Sequence, residues 1–254
     1  MTYCVALKLN DGLVFASDSR TNAGVDQIAN FKKMRQFINV GDRVIVILSS
    51  GNLSITQSAI NLFEQRGNYA DAPHLWNSES LYNIATLLGE CLREVRERES
   101  PFLLQNNVEI GTTFILGGQI RGEAPRLFLI YAEGNFIEAT EAPAFFQIGE
   151  TKYGKPIIDR IIEAKTSLRD AVKCVLVSFD STMRSNISVG MPIDLACYTS
   201  DSLCLPHQYN LANDDPYFTQ ISQRWSEGLR GVFVSLPDPD WDCAPELRMP
   251  TPPS

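Results

Sequence analysis

Apolar positions at the start of the chain cluster in short segments that flank turns. Residues 3–9 (YCVALKL) and 13–17 (LVFAS) are typical of strands, and residues 10–12 (NDG) between them accept the positive φ angles of a tight turn. Residues 34–40 and 43–49 form a second such pair around a Gly-Asp turn. We therefore predict two antiparallel hairpins, and we expect all four strands to lie in one sheet that faces a second sheet.

The apolar period then changes to three or four residues, which is the period of a helix. It predicts helices over residues 53–67 and 80–97, each preceded by an Asn or Ser suited to an N-cap. We expect these two helices to cover one outer face of the sheets, and we interpret the polar stretch after Asp18 as a loop. The remaining predicted elements are strands over 112–117, 126–131, 135–139 and 193–199, and helices over 155–164, 168–183 and 218–234.

This order of elements favours two antiparallel sheets packed face to face with helices outside both, because every apolar face then has a partner. We predict an α+β fold, a four-layer αββα sandwich. Residues 1–254 are expected to form a single domain, in which the part from about residue 200 is a C-terminal extension.

Composition and charge exclude several classes of function. The chain has 22 basic and 30 acidic residues and a formal net charge of −8, which argues against a general nucleic-acid or anionic-membrane binder. No apolar run approaches the roughly 20 residues needed to cross a bilayer, and residues 1–12 lack the pattern of a signal peptide. We expect a cytoplasmic protein.

Neither the cysteines nor the histidines form a recognisable site. The absence of a CxxC pair favours reduced thiols over disulfides and argues against zinc. His74 and His207 lie among loop-forming residues without a GxSxG motif, so we interpret them as surface or packing residues. The cysteines are Cys4, Cys91, Cys174, Cys197, Cys204 and Cys243. No metal or organic cofactor is expected.

Thr2 is a different kind of candidate nucleophile. Met1 precedes a small side chain and is therefore normally removed, which leaves Thr2 with a free α-amine beside its own hydroxyl. An alcohol needs an adjacent base, and an α-amine, with a pKa of about 7.7–8.0, is partly neutral at working pH. The alternative is that Thr2 merely follows the initiator methionine.

The first hairpin returns Asp18 to the side of Thr2, because the two strands run antiparallel. Lys32 and Lys33 precede the third strand. A buried lysine held by Asp18 would place positive charge beside the Thr2 hydroxyl and favour its alkoxide. The alternatives are that Asp18 caps a strand end and that the two lysines are surface charges.

Taken together, these features resemble the start of a proteasome β-type subunit, one of the N-terminal-nucleophile hydrolases. Thr2 at the strand start, the NDG turn, FASDSR and NFKKMRQF carry the resemblance. The first 26 residues, with the later LSSGNLS, are most similar to the bacterial Anbu (ancestral beta subunit) family. The resemblance extends over residues 2 to about 200 and is most specific in the N-terminal motifs.

The resemblance implies a threonine peptidase or amidase in which Thr2 is the nucleophile, Lys33 the catalytic lysine and Asp18 its orienting acid. Lys33 is preferred to Lys32 because the second lysine precedes the apolar strand residue in the family pattern. The positions matched to the oxyanion turn and its supporting loop are Ser49, Ser50, Gly51, Ser185 and Ser188.

Three features depart from the family pattern, and they predict weak or narrowly selective activity. Residues 48–51 (LSSG) occupy the turn at which the family usually has the glycine whose N–H donates to the oxyanion. Glu150 occupies the place of a serine that follows a glycine, and Ser185 occupies the place of an acid. The resemblance also implies a homo-oligomer, either a ring or an open spiral, that acts on a peptide or amide. Alternatives are a catalytically silent structural subunit and a small-amide hydrolase.

Overall fold

Two antiparallel sheets form the centre of the computed structural model, which describes residues 2–22, 28–69, 72–106 and 108–239. Within these residues, sheet 1 has the strand order β10-β1-β2-β11-β12, sheet 2 has the order β5-β6-β7-β8-β9, and β3 pairs with β4 in a separate ribbon. In chain order the elements are β1 (Tyr3–Leu9), β2 (Gly12–Asp18), β3 (Arg20–Asn22), β4 (Ile28–Asn30), β5 (Met34–Asn39), β6 (Arg43–Gly51), α1 (Leu53–Arg66), α2 (Leu81–Gln105), β7 (Thr112–Ile120), β8 (Arg126–Ile130), β9 (Phe136–Glu138), β10 (Phe145–Gly149), α3 (Lys155–Ile161), α4 (Leu168–Ser185), β11 (Ile193–Thr199), β12 (His207–Leu211) and α5 (Pro216–Ser235).

Alternation of side chains along the strands separates the core into layers. In β6, Ile45 and Ile47 pack against α1 and α2, whereas Val44 and Val46 pack between the two sheets. The outer face of sheet 1 packs against α3, α4 and the start of α5. The predicted αββα sandwich is therefore confirmed, as is the prediction that the first two helices cover one outer face.

The two N-terminal hairpins lie in different sheets, so the prediction that their four strands share one sheet was wrong. β1 pairs with β2, and β5 pairs with β6, but the second neighbour of β2 is β11 and that of β6 is β7. A tight turn specifies only the local partner of a strand. Both β1 and β2 are buried on both faces, so their apolar pattern does not indicate which sheet lies opposite.

Several element boundaries also differ from the sequence prediction. Residues 20–22 and 28–30, expected to be loop, form β3 and β4, and both edge strands of sheet 1, β10 and β12, were not predicted. Each edge strand has five residues, and β12 is mostly exposed, so its apolar signal is weak. Helix α2 continues past its charged run and past Pro101 to Gln105.

The helix starts follow the expected capping chemistry. The Asn52 side chain accepts hydrogen bonds from the backbone N–H groups of Ser54 and Ile55, and the Ser80 hydroxyl accepts one from Asn83. These oxygens satisfy N–H groups that have no partner inside the helix. No helix in the described part of the chain has the length and apolarity needed to cross a membrane.

The cysteine and histidine interpretations can be compared with the structure where their residues are described. The five cysteines before residue 239 are free thiols, and Cys243 lies outside the described residues. His74 is buried in a loop and its Nδ1 accepts a hydrogen bond from the Trp76 N–H. His207, by contrast, belongs to β12 and not to a loop, and it is exposed.

Packing between the two sheets predicts that two valines of the same hairpin contribute very differently to stability. Val46 is fully buried there, whereas Val40 is 75% exposed. We expect Val46→Ala to lower the free energy of unfolding by about 2–3 kcal/mol, since it removes two buried methyl groups and leaves a cavity. Val40→Ala is the matched control and should change it by less than about 0.5 kcal/mol. Urea unfolding measures both, and equal losses would contradict the layer assignment.

Candidate active site

Thr2 and Asp18 meet where the first hairpin opens. Asp18 is the last residue of β2, and its Oδ1 accepts a 3.0 Å hydrogen bond from the Tyr3 N–H. This bond fixes the backbone next to Thr2 against the carboxylate. Thr2 is 9% exposed and Asp18 is fully buried. The N-terminal end of β1 is therefore held inside the molecule.

Lys33 is the buried lysine of the pair, and Lys32 is exposed. The Lys33 Nζ lies 2.7 Å from Asp18 Oδ1 and also donates a 2.6 Å hydrogen bond to the Arg20 carbonyl oxygen. The backbone of Lys33 is fixed as well, because its carbonyl oxygen accepts a hydrogen bond from the Ser49 N–H. The structure thus brings Asp18 and Lys33, both predicted to belong to the site, into direct contact.

The ion pair lies in a strongly desolvated position. Burial raises the pKa of the Asp18 carboxyl above its usual value, and the positive charge of Lys33 and the hydrogen bonds from Lys33 and the Tyr3 N–H oppose that rise. Burial likewise raises the pKa of the neighbouring Cys4 thiol, and the Asp18 charge adds to the effect. Cys4 therefore stays a neutral thiol beside the pair.

Ser49, Ser50 and Gly51 do not form a turn, contrary to the sequence interpretation. They are the last three residues of β6 and pair with the start of β7. Gly51 has a φ of +108°, and a Cβ there would lie 2.0 Å from the Gly111 carbonyl oxygen. The strand thus ends in a glycine-dependent contact, a conformation that sequence alone could not distinguish from a turn.

Gly149 is a residue of the site that the sequence did not reveal. Its φ is +82°, and a Cβ at this position would lie 1.9 Å from the Thr2 carbonyl oxygen and 3.2 Å from Ser50 Oγ. Only a residue without a side chain allows β10, Thr2 and Ser50 to approach this closely. Of the three residues matched to the oxyanion position, Ser50 is thereby placed beside the strand end that carries Thr2.

Glu150, the residue in place of the family serine, lies directly beside Thr2. Its backbone N–H donates a 2.6 Å hydrogen bond to the Thr2 carbonyl oxygen. Its side chain is buried, and Oε2 accepts a 2.8 Å hydrogen bond from Asn186 Nδ2. Asn186 follows α4 directly and was not predicted as part of the site.

The two supporting serines occupy different positions. Ser185 ends α4 and is exposed, whereas Ser188 is partly buried and its N–H donates to Asn186 Oδ1 at 2.9 Å. Ser188 is therefore linked to Glu150 through Asn186. Arg20, inside the FASDSR motif, connects the same loop to the ion pair, because its Nη1 donates to the Ile187 carbonyl oxygen and its own carbonyl accepts from Lys33.

Comparison with known proteins identifies the family to which the chain belongs. A family model described as "Proteasome subunit" matches residues 2–197. The chain belongs to the proteasome subunit family. Among curated proteins, no sequence gives a significant match.

Solved structures narrow the relationship to the Anbu group. Anbu from Yersinia bercovieri is 49% identical, with a TM-score of 0.89 over 94% of this chain and 99% of that chain. A structure titled "Helical Assembly of the Anbu Complex from Pseudomonas aeruginosa" is 50% identical, with a TM-score of 0.90 over 95% and 100% of the two chains. Anbu from Hyphomicrobium sp. strain MC1 is 46% identical, with a TM-score of 0.87 over 94% and 99%.

The buried ion pair predicts a pH-dependent loss of stability in Lys33→Met. Without Lys33, burial raises the folded-state pKa of Asp18 further above its unfolded-state pKa. Below the unfolded-state pKa, the carboxyl is neutral in both states and does not oppose folding. As pH rises through the higher, folded-state pKa, the carboxyl increasingly opposes folding. We expect Lys33→Met to destabilise the protein by about 3–5 kcal/mol at pH 7.5 and by less at pH 5.

Two further variants control this experiment. Lys32→Met removes an exposed ammonium and should be nearly neutral at both pH values. Adding Asp18→Asn to Lys33→Met removes the titrating carboxyl, so the loss of stability at pH 7.5 should become closer to the loss at pH 5. Urea unfolding at pH 5 and 7.5 measures all four proteins, and a Lys33→Met loss that is the same at both values contradicts the assignment.

Proposed function

We propose that the mature chain starts at Thr2 and acts as a threonine peptidase or amidase, with weak or narrowly selective activity, in a cytoplasmic homo-oligomer. The observation that carries this proposal is the buried Asp18–Lys33 pair at the strand end next to Thr2. The pair also connects the two sheets, but that structural role does not require a position beside Thr2. A buried pair is weak support for stability, which leaves a chemical role as the better explanation.

The mechanism follows from the groups at this position. The Thr2 hydroxyl attacks the substrate carbonyl while the α-amine, directly or through water, accepts its proton. The same amine returns the proton to the leaving amine, and an ester between the acyl group and Thr2 remains until water hydrolyses it. Lys33 favours the alkoxide by its positive charge, and Asp18 holds Lys33 in place. Backbone and side-chain groups around Ser49, Ser50 and Gly51 stabilise the oxyanion.

The second part of the proposal is assembly. The Pseudomonas aeruginosa relative is described as a helical assembly, and this chain exposes large apolar side chains along one face at the end of α5, Leu229, Val232 and Phe233. Exposed apolar patches of this kind mark contacts with other chains. A silent structural subunit would assemble in the same way, so the chemistry of Thr2 distinguishes the two functions.

The decisive experiment is a covalent label at Thr2. An epoxyketone that requires both the hydroxyl and the free α-amine of an N-terminal threonine should raise the intact mass of the mature protein by one inhibitor. Thr2→Ala should abolish the label without unfolding the protein, whereas Thr2→Ser, which keeps both groups, should retain it. A chain that keeps Met1 has an amide in place of the amine and should not react. Labelling of that form would falsify the mechanism.

Removal of the lysine charge should be nearly as damaging as removal of the hydroxyl. We expect Lys33→Ala to slow labelling by about 10²–10⁴-fold, and Asp18→Asn to have a similar or milder effect because Lys33 keeps its charge but loses its anchor. Lys32→Ala is the matched control and should label at the wild-type rate. Mass spectrometry over time gives each rate, and equal rates for the two lysine variants would contradict the assigned role of Lys33.

Glu150 should set the pH range of the reaction. The Glu150 backbone N–H contacts the Thr2 carbonyl oxygen, and we expect the negative charge of its side chain to favour the protonated form of the Thr2 α-amine and so to raise the pKa of that amine. Since only the neutral amine accepts a proton, we expect Glu150→Gln to extend labelling to lower pH. Glu141→Gln changes an exposed carboxyl and should leave the profile unchanged. Superimposable profiles of all three proteins would exclude this role for Glu150.

A further inference from the structure

The last helix carries a single apolar stripe that is buried at one end and unpartnered at the other. At its start, Phe218 and Ile221 pack against the core beneath α4. With 3.6 residues per turn, the same face continues through Leu229, Val232 and Phe233. These three side chains are 52%, 61% and 76% exposed. The stripe therefore runs on beyond the part of the molecule that covers it.

Among the residues that the structure describes, none covers the exposed end of α5. Every residue from 227 to 239 is exposed. A Cβ added at Gly228 or Gly231 would have no atom of the described residues within 4 Å, apart from the backbone of α5 itself. Nine residues of isolated helix with two glycines are not stable in water. Another surface must cover this segment if it is to remain helical.

A groove on the outer face of sheet 1 offers an apolar surface that is complementary to this helix end. The outer face of sheet 2 packs under two long helices, but beside α4 the surface over β11 and β12 is open. This groove has a volume of about 760 Å³. Its lining includes Leu168, Val172, Leu176, Cys197, Tyr209 and Tyr217. The five residues of β12 span about 17 Å, and the nine-residue helix end is about 13 Å long, so the two match in length.

The helix end of one chain cannot fill the groove of that same chain. Tyr217, in the first turn of α5, already lines the groove, and ten residues of rigid helix place residue 227 about 15 Å from it. The rim of the groove carries Arg169 and Lys173, of which Lys173 is already paired with Asp170 at 2.6 Å. The charge of Arg169 suits the negative end of a helix dipole and Asp238 beyond it. These features are present together in every copy of the chain.

We propose that the apolar end of α5 in one copy packs into the groove between α4 and β12 of a second copy. Two copies that exchange their helix ends reciprocally form a closed pair about a two-fold axis, whereas a one-way contact leaves a helix end and a groove free for further copies. Repetition of such a contact gives a ring if the rotation closes and an open spiral if it does not. The inference rests on the assembly part of the proposed function and is independent of the chemistry at Thr2.

Matched substitutions test both halves of the contact. Val232 lies on the stripe and Val234 lies about 200° away around the helix, so Val232→Asp and Val234→Asp place the same charge on opposite faces. On the groove side, Tyr209→Asp is paired with Gln208→Asp on the same strand. Sedimentation velocity over a concentration series measures association of the full chain, and circular dichroism checks that each variant is folded.

We expect Val232→Asp and Tyr209→Asp each to weaken association about tenfold or more, with Val234→Asp and Gln208→Asp close to wild type. Equal effects of the two valine variants overturn the proposal, as does a wild-type chain that remains monomeric. An unaltered Tyr209→Asp also overturns it, because the stripe then pairs with something other than the groove. Epoxyketone labelling of the same samples reports the Thr2 chemistry separately, so a failure of assembly and a failure of the proposed reaction give different results.

A cross-link provides a second measurement that does not depend on a charged variant folding. Chains with Val232→Cys and chains with Tyr209→Cys are mixed under oxidising conditions. The proposal expects a disulfide between copies in that mixture, and much less of it when Val234→Cys replaces Val232→Cys. Equal cross-linking by the two helix variants overturns the docking geometry.

Discussion

A buried carboxylate needs a partner, and the organisation of the site follows from the partner that Asp18 has. Its Oδ1 receives both the Lys33 ammonium and the Tyr3 N–H, so one oxygen joins the start of β1, the end of β2 and the residue before β5. β5 belongs to the other sheet. The ion pair therefore connects the two sheets at the point where Thr2 lies, and breaking either half leaves an uncompensated charge in the interior.

The surroundings of Thr2 are built from close backbone approaches more than from side chains. The Thr2 carbonyl oxygen accepts from the Glu150 N–H, and Gly149 must lack a Cβ for that strand to lie so near. The loop after α4 is in turn fixed through Asn186 and Arg20. Such supports would hold the proposed nucleophile, Thr2, within about 0.5 Å of a productive position. The side chain of Glu150 adds an acidic group to this support, and its backbone N–H makes the contact with Thr2.

The two outer faces of the sandwich are covered unequally, and that difference bears on assembly. Sheet 2 is packed under α1 and α2, whereas α5 leaves the surface of sheet 1 after its first turns. An apolar helix end and an apolar groove on one chain are costly while the chain is alone. Contact between copies would cover both surfaces at once, without any change at the end of the molecule where Thr2 lies.

The sequence by itself determined the local structure and the identity of the candidate chemistry. Turn residues predicted the hairpins and apolar periods predicted the long helices, because a turn and a helix depend on neighbours within a few residues. The order of these elements along the chain then predicted the αββα sandwich. The N-terminal motifs also indicated Thr2, Asp18 and Lys33. Only the tertiary structure decided that the two hairpins lie in different sheets and that Ser49, Ser50 and Gly51 end a strand. It also decided that Gly149 and Glu150 adjoin Thr2 and that Asn186 binds Glu150. These features arise from contacts between residues 36 to 148 positions apart, or from strands buried on both faces, whose apolar pattern does not specify a partner.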